Sequence, residues 1–155
     1  MRTYVDSDHA RESLTCRSWI GYLVFLQNSP IYWIYRKQAI CETSTFRSEF
    51  CAMKQATEYM RGLRYKLRMM GIPCNKPTFV YGDNKLVLAN MYVPISQLKK
   101  KSNRIAYHFV REGCAKDEWR TTYVNTHNNP SDLITKPLTS GEKHSTLVGM
   151  MLLWV

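Results

Sequence analysis

The chain has 155 residues, with 22 Lys+Arg against 12 Asp+Glu and a formal net charge of +10. Its 45% hydrophobic and 12% aromatic content excludes an intrinsically disordered chain, and seven Gly and six Pro exclude collagen-like or low-complexity character. No apolar run reaches the ~20 residues of a membrane helix, and an acid at Asp6 stands where a signal peptide would be apolar.

The length fits one domain over 1–155, with a core of about 3–140 and a helix or tail over 141–155. Cys16, Cys41, Cys51, Cys74 and Cys114 are odd in number and include no Cys-x-x-Cys pair, unlike a zinc site or a secreted disulfide framework. They read as reduced thiols of an intracellular protein, mostly small core residues. The positive charge fits a polyanionic partner, nucleic acid above all, although solubility alone would also explain it.

In chain order, residues 3–8 open as a short extended segment. Residues 19–26 (WIGYLVFL) are strand formers and run into the turn cluster Gln27-Asn28-Ser29-Pro30. Residues 31–35 (IYWIY) resume as the second strand of a hairpin, with Tyr22, Trp19 and Trp33 expected to pack in the sheet. A long helix begins at Thr43-Ser44-Thr45, carries the apolar stripe Phe46, Phe50, Met53, Met60, Leu63, Leu67 and Met70, and ends at Gly71 before Pro73. A strand is expected over 77–83, helices over 84–92 and 103–116 (the latter with Ile105, Phe109 and Val110 inward), and a strand over 119–126. A short helix over 131–136 follows Pro130 and is closed by Pro137. This alternation predicts an α/β protein with a mixed sheet.

Twelve acids are few enough for their placement to be informative. Asp6 falls inside a strand-like segment, where Asp is disfavoured. Asp83 ends the strand PTFVYG, where open α/β sheets place ligand sites. Glu49 lies on the apolar stripe of its helix, three residues after Phe46 and four before Met53, a placement that costs several kcal/mol without compensation. Asp132 lies in the first turn of the last short helix. Separately, each has a structural explanation: a turn and cap for Asp83-Asn84, a favourable helix N-terminal charge for Asp132, a buried Arg partner for Glu49. Jointly, four acids from four elements would form an oxygen cluster suited to Mg²⁺. Two such ions about 3.5–4 Å apart can activate water and stabilise the leaving oxygen of a phosphodiester.

The order Tyr4-Val5-Asp6-Ser7-Asp8, Arg17-Ser18-Trp19-Ile20-Gly21-Tyr22, Pro30-Ile31-Tyr32-Trp33 and Lys37-Gln38 resembles the ribonuclease H domain of copia-like LTR retrotransposon (Pseudoviridae-type) polyproteins. Further matches are Ser48-Glu49-Phe50-Cys51-Ala52, Tyr81-Gly82-Asp83-Asn84, Tyr107-His108-Phe109-Val110-Arg111-Glu112 and Asp132-Leu133-Ile134-Thr135-Lys136-Pro137-Leu138. The resemblance covers about residues 3–150. It implies a ribonuclease H-like fold, with a five-stranded mixed sheet flanked by helices. It also implies a Mg²⁺-dependent endonuclease (two ions, with Mn²⁺ a possible substitute) cutting the RNA strand of RNA–DNA hybrids made by the reverse transcriptase domain of the same polyprotein. By the same resemblance Asp6 would be shared by both metals, Glu49 and Asp83 would hold one, and Asp132 would help bind the other. Water would attack in line, leaving a 3′-hydroxyl and a 5′-phosphate. Arg47-Ser48-Glu49 departs from the family's Glu-Ala-Glu, and Lys101-Ser102 from its Lys-His pair. His127, five residues before Asp132, resembles a mobile histidine that assists product release, with a shorter gap than usual.

Lys99, Lys100, Lys101, Arg104 and Arg111 form a run of cations suited to phosphate contact, whose affinity would fall steeply with salt; a solvated helix face is the plainer reading. Asn84, Gln38 and Ser48 are candidates for sugar or base contacts, where 2′-hydroxyls would distinguish RNA from DNA. The expected setting is intracellular: a cytoplasmic virus-like particle or the nucleus. The alternative is a non-catalytic domesticated or degenerate fragment binding nucleic acid or a protein partner. A different nuclease or integrase-like enzyme on the same fold fits the acid spacing less well.

Overall fold

The computed structural model describes residues 1–9, 14, 16–39, 41, 44–92 and 101–152, and the side chains of all of these except 92 and 101–104. Strands β1 (Arg2–Asp8), β2 (Trp19–Leu26) and β3 (Ser29–Lys37) form an antiparallel meander. The long helix α1 (Thr45–Met69) leads to β4 (Thr78–Gly82), which is followed by α2 (Lys85–Tyr92) and α3 (Lys101–Ala115). Strand β5 (Trp119–Tyr123), a 3₁₀ turn (Thr126–Asn128), α4 (Asp132–Thr135) and α5 (Glu142–Leu152) complete the chain. The sheet order is β3-β2-β1-β4-β5, with β4 and β5 parallel to β1, so the expected five-stranded mixed sheet is what forms.

Local chemistry accounts for the boundaries. The β2–β3 turn is tight because Gln27 takes a left-handed backbone (φ 55°), and the second strand begins at Ser29, two residues before the expected start. Ser44 caps α1 by accepting a hydrogen bond from the Arg47 amide. At the other end Gly71, with φ 78°, turns the chain out of the helix. Along α1, Phe50, Met53, Ala56 and Met60 bury one face against Val5, Ile20, Tyr22, Val24 and Val80 of the sheet. Trp119 is fully buried at the start of β5, its indole N–H donating to the Val110 carbonyl of α3 at 3.0 Å.

Several side chains lie elsewhere than expected. Trp33 is 63% exposed because β3 is an edge strand with one uncovered face, whereas Tyr22 on the neighbouring strand is buried against α1. Trp19 is half-buried, stacked on Tyr35 at 4.6 Å with the Lys37 ammonium over its ring. Met70 and Ile105 are exposed: Met70 lies past the end of α1, and Tyr107 and Val110 carry the inward face of α3. The cysteines are mostly not core residues either, since Cys16 and Cys41 are exposed and the other three half-buried, with Cys114 packed against the core; all five are free thiols.

Short helix α4 packs on the sheet face opposite α1 because β2 offers no side chain at Gly21. A Cβ there would lie 2.5 Å from Thr135 Cγ2 and 2.9 Å from Ile134. Gly21 is also the residue paired with Asp6 across the β1–β2 ladder. We expect Gly21→Ala to lower stability by about 1–3 kcal/mol through overpacking, read as a shift in the urea midpoint. Gly62→Ala, with nothing within 4 Å of the new methyl, should be neutral or stabilising by up to ~1 kcal/mol.

Candidate metal centre

Strand register brings the first two acids together. Tyr4 of β1 is aligned with Tyr81 of the parallel β4, so two residues further on Asp6 comes alongside Asp83 at the carboxyl ends of both strands. Helix α4, seated over Gly21, carries Asp132 to the same place. Asp6, Asp83 and Asp132 each offer an oxygen within 4.8 Å of the others, with Asp6 and Asp132 buried and Asp83 half-buried. Glu49, from the first half of α1, lines one cleft with Asp6, Asp83 and Asn84. Four acids from four elements thus meet at one end of the sheet.

Neutral donors hold this arrangement. The Thr126 hydroxyl donates to Asp83 Oδ2 at 3.0 Å, and the Thr135 hydroxyl donates to Asp6 Oδ2. Asn84 hydrogen-bonds Glu49 and, through its Oδ1, accepts from the Leu86 and Val87 amides as the cap of α2. Two lysines complete the shell: Lys136 Nζ lies 2.8 Å from Asp132 Oδ1 and 3.3 Å from Asp6 Oδ2, and Lys143 Nζ pairs with Asp132 Oδ2. Both oxygens of Asp132 therefore carry an ammonium group.

Burial, opposed by Lys136 and Thr135 and reinforced by Asp132 and Asp83, pushes the Asp6 carboxyl up to about 6. Burial first, then the charges of Asp83 and Asp6, push Glu49 up to about 8. Burial works against the Lys136 ammonium, but Asp6 and Asp132 outweigh it and raise its pKa. The two lysines thus leave the cluster short of positive charge. A set of hard carboxylate oxygens, crowded enough to resist ionisation, fits a divalent cation such as Mg²⁺.

The remaining candidate residues are distributed unevenly. His127 is exposed on the 3₁₀ turn, next to Thr126 and hence one residue from an Asp83 partner. Arg111 is half-buried on α3 with its guanidinium 5.1 Å from the Tyr107 ring. Gln38 and Ser48, expected to touch nucleic acid, are instead buried, Gln38 being 2% exposed. Gln38 donates to the Ser48 carbonyl at 2.9 Å, and the Ser48 and Ser7 hydroxyls are 3.0 Å apart, so Ser48 ties α1 to β1 and Gln38 ties α1 to the end of β3. Lys99 and Lys100 lie outside the described residues, as do the side chains of Lys101 and Arg104. Sequence reasoning missed Thr126, Thr135, Lys136 and Lys143 as partners of the acids. Of these only Thr135 and Lys136 had a local signal, three and four residues after Asp132 on one helix face.

The architecture is the ribonuclease H-like α/β fold. Ribonuclease H1 from the halophilic archaeon Halobacterium salinarum NRC-1 matches with a TM-score of 0.62 at 15% identity, over 86% of this chain and 92% of that one. LC11 ribonuclease H1, solved in complex with an RNA/DNA hybrid, matches with a TM-score of 0.61 at 12% identity, over 86% and 91%. In sequence, the chain is similar to the retrovirus-related Pol polyprotein from transposon RE1 of Arabidopsis thaliana, 29% identical over 138 residues. That alignment takes in 89% of this chain but 9% of the polyprotein, so the chain spans about a tenth of the curated relative's length. No family model matches the chain. The expected resemblance to copia-like Pol polyproteins is borne out by these relatives, and the expected fold by the solved structures.

The raised carboxyls set a pH dependence for the cation-free protein. A group whose folded pKa lies above its unfolded value adds stability at low pH and loses it as pH rises. For Asp6 that contribution is whole below its ordinary 3.8 and gone above about 6; for Glu49 it is whole below 4.5 and gone above about 8. Thermal melts should therefore show stability drawn down by these groups from acid to mildly alkaline pH. Saturating Mg²⁺, which binds the ionised carboxylates, should raise the melting temperature most at the alkaline end.

Proposed function

We propose that the chain is a Mg²⁺-dependent endonuclease that hydrolyses the RNA strand of RNA–DNA hybrids during retrotransposon reverse transcription. The observation that carries this reading is the convergence of Asp6, Asp83 and Asp132 within 4.8 Å at the carboxyl ends of parallel strands. The fold similarity to ribonucleases H and the sequence similarity to Pol polyproteins support it. In this reading Asp6 would serve two cations, Glu49 and Asp83 would help hold one of them, and Asp132 would help hold the other. The bound cations supply an activated water and charge neutralisation at the leaving oxygen. Thr126 and Thr135 fix the rotamers of Asp83 and Asp6, so the ligands are set before substrate arrives. His127, exposed beside Thr126, would assist release of the product phosphate.

The hybrid would be gripped by its backbone, with Asn84 at the cleft and the cationic run of Lys99, Lys100, Lys101, Arg104 and Arg111 along the duplex. The reverse transcriptase domain of the same polyprotein is the natural partner, working in a cytoplasmic virus-like particle or in the nucleus. One observation favours the alternative of a non-catalytic, nucleic-acid-binding remnant: Lys136 and Lys143 occupy both oxygens of Asp132.

Cleavage of a labelled RNA–DNA hybrid separates the two. The wild type should cut the RNA strand with Mg²⁺ and stop when the ion is chelated. Asp83→Asn should lose more than the roughly 10–100-fold that removing an outer partner of a metal site costs. A wild type that binds the hybrid without cutting it would establish the remnant instead.

A further inference from the structure

We propose that Lys136 is a tethered counter-ion seated where a second divalent cation would enter, so that this cation binds only as the ammonium leaves. The inference rests on the metal-dependent reading above and goes beyond it in assigning a role to a lysine. Lys136 Nζ bridges two acids, 2.8 Å from Asp132 Oδ1 and 3.3 Å from Asp6 Oδ2. Among the described residues the ammonium contacts of the cluster fall on Asp6 and Asp132. Asp83 instead takes the Thr126 hydroxyl, and Glu49 a hydrogen bond with Asn84. The cluster is therefore asymmetric. On the side of Glu49 and Asp83, a cation meets acids held by neutral partners. On the side of Asp6 and Asp132, it meets a positive charge already in place.

The same geometry shows how the seat empties. Asp6 and Asp132 are almost wholly buried and fixed, whereas the Lys136 side chain is about a third exposed. A long flexible stem lets the ammonium move to solvent while its backbone stays put. A phosphate oxygen arriving at the cleft offers it a new charge-assisted partner within stem length. The second cation and the substrate phosphate then enter together, the phosphate taking up the ammonium that the cation displaces. Lys143, on the other oxygen of Asp132, keeps that acid partly neutralised during the exchange.

Mn²⁺ titration of the full chain, followed by electron paramagnetic resonance and calorimetry, tests this without turnover. The wild type should bind one equivalent tightly and a second weakly. Lys136→Met should tighten the weak equivalent on the order of tenfold, at the lower end of usual coupling between sites, and leave the tight one nearly unchanged. Lys136→Arg should behave as the wild type, and in an Asp132→Asn background Lys136→Met should have no further effect. Circular dichroism melts confirm that each variant folds, with Lys136→Gln replacing the Met variant if that one does not. Equal or weaker binding of the second Mn²⁺ in a folded Lys136→Met protein overturns the assignment and leaves the metal-dependent reading standing. If neither protein binds Mn²⁺, both fall together.

Discussion

The site depends on how closely like charges can be brought together. Carboxylates with oxygens within 4.8 Å repel by on the order of 3 kcal/mol at an effective dielectric constant near 20. A single neutral hydrogen bond returns about 1 kcal/mol, so the hydroxyls of Thr126 and Thr135 orient the acids without balancing them. Positive charge has to supply the difference. In the protein itself Lys136 and Lys143 do so for Asp132 and partly for Asp6, while Asp83 and Glu49 lean on neutral groups. The backbone makes this crowding unavoidable, because β1 and β4 share a register and Gly21 lets α4 descend onto them.

Much of the fold and the acid set was legible in the chain because both rest on local patterns. The strand formers of WIGYLVFL, the 25-residue α1 after its Ser44 cap, and an Asp inside one strand-like run and at the end of another are signals that a few neighbouring residues carry. Glu49 was conspicuous for the same reason, as a charge on an apolar stripe. What was misread depended on the third dimension. Trp33 alternates as a core residue would, yet β3 is the sheet edge and one of its faces is uncovered. Gln38 stands just after a strand, where exposure is the usual state. It is buried because its backbone amide donates to the Ser18 carbonyl and its side chain to that of Ser48. Lys143 reaches Asp132 from α5, eleven residues away on a separate helix, and nothing in the local sequence announces that contact.

The chain as a whole is strongly basic, and four of its twelve acids gather where they oppose that charge. A polyanion approaching a molecule of net charge +10 is attracted from any side, so net charge brings it near without choosing a place. The carboxylate cluster is a feature that such a polyanion should avoid. Under the proposed nuclease reading it would become attractive only when cations fill it, and the same ions would then neutralise the phosphate that approaches. Attraction by the basic surface and admission by the acidic cleft are therefore separate requirements, met by different residues.

A lysine inside an acid cluster is usually taken as a sign that the cluster is structural, because a satisfied ion pair has no need of a metal. Here the two sides of that argument can be weighed on one residue. The attraction within an ion pair is strongest when both partners are fixed and dry, since exposure screens it. Asp132 meets that condition and Lys136 does not, its side chain remaining about a third exposed. The buried partner is rigid and the cation is replaceable. That is the division of labour expected where a protein must hold its acids together before a metal arrives and release them to it afterwards.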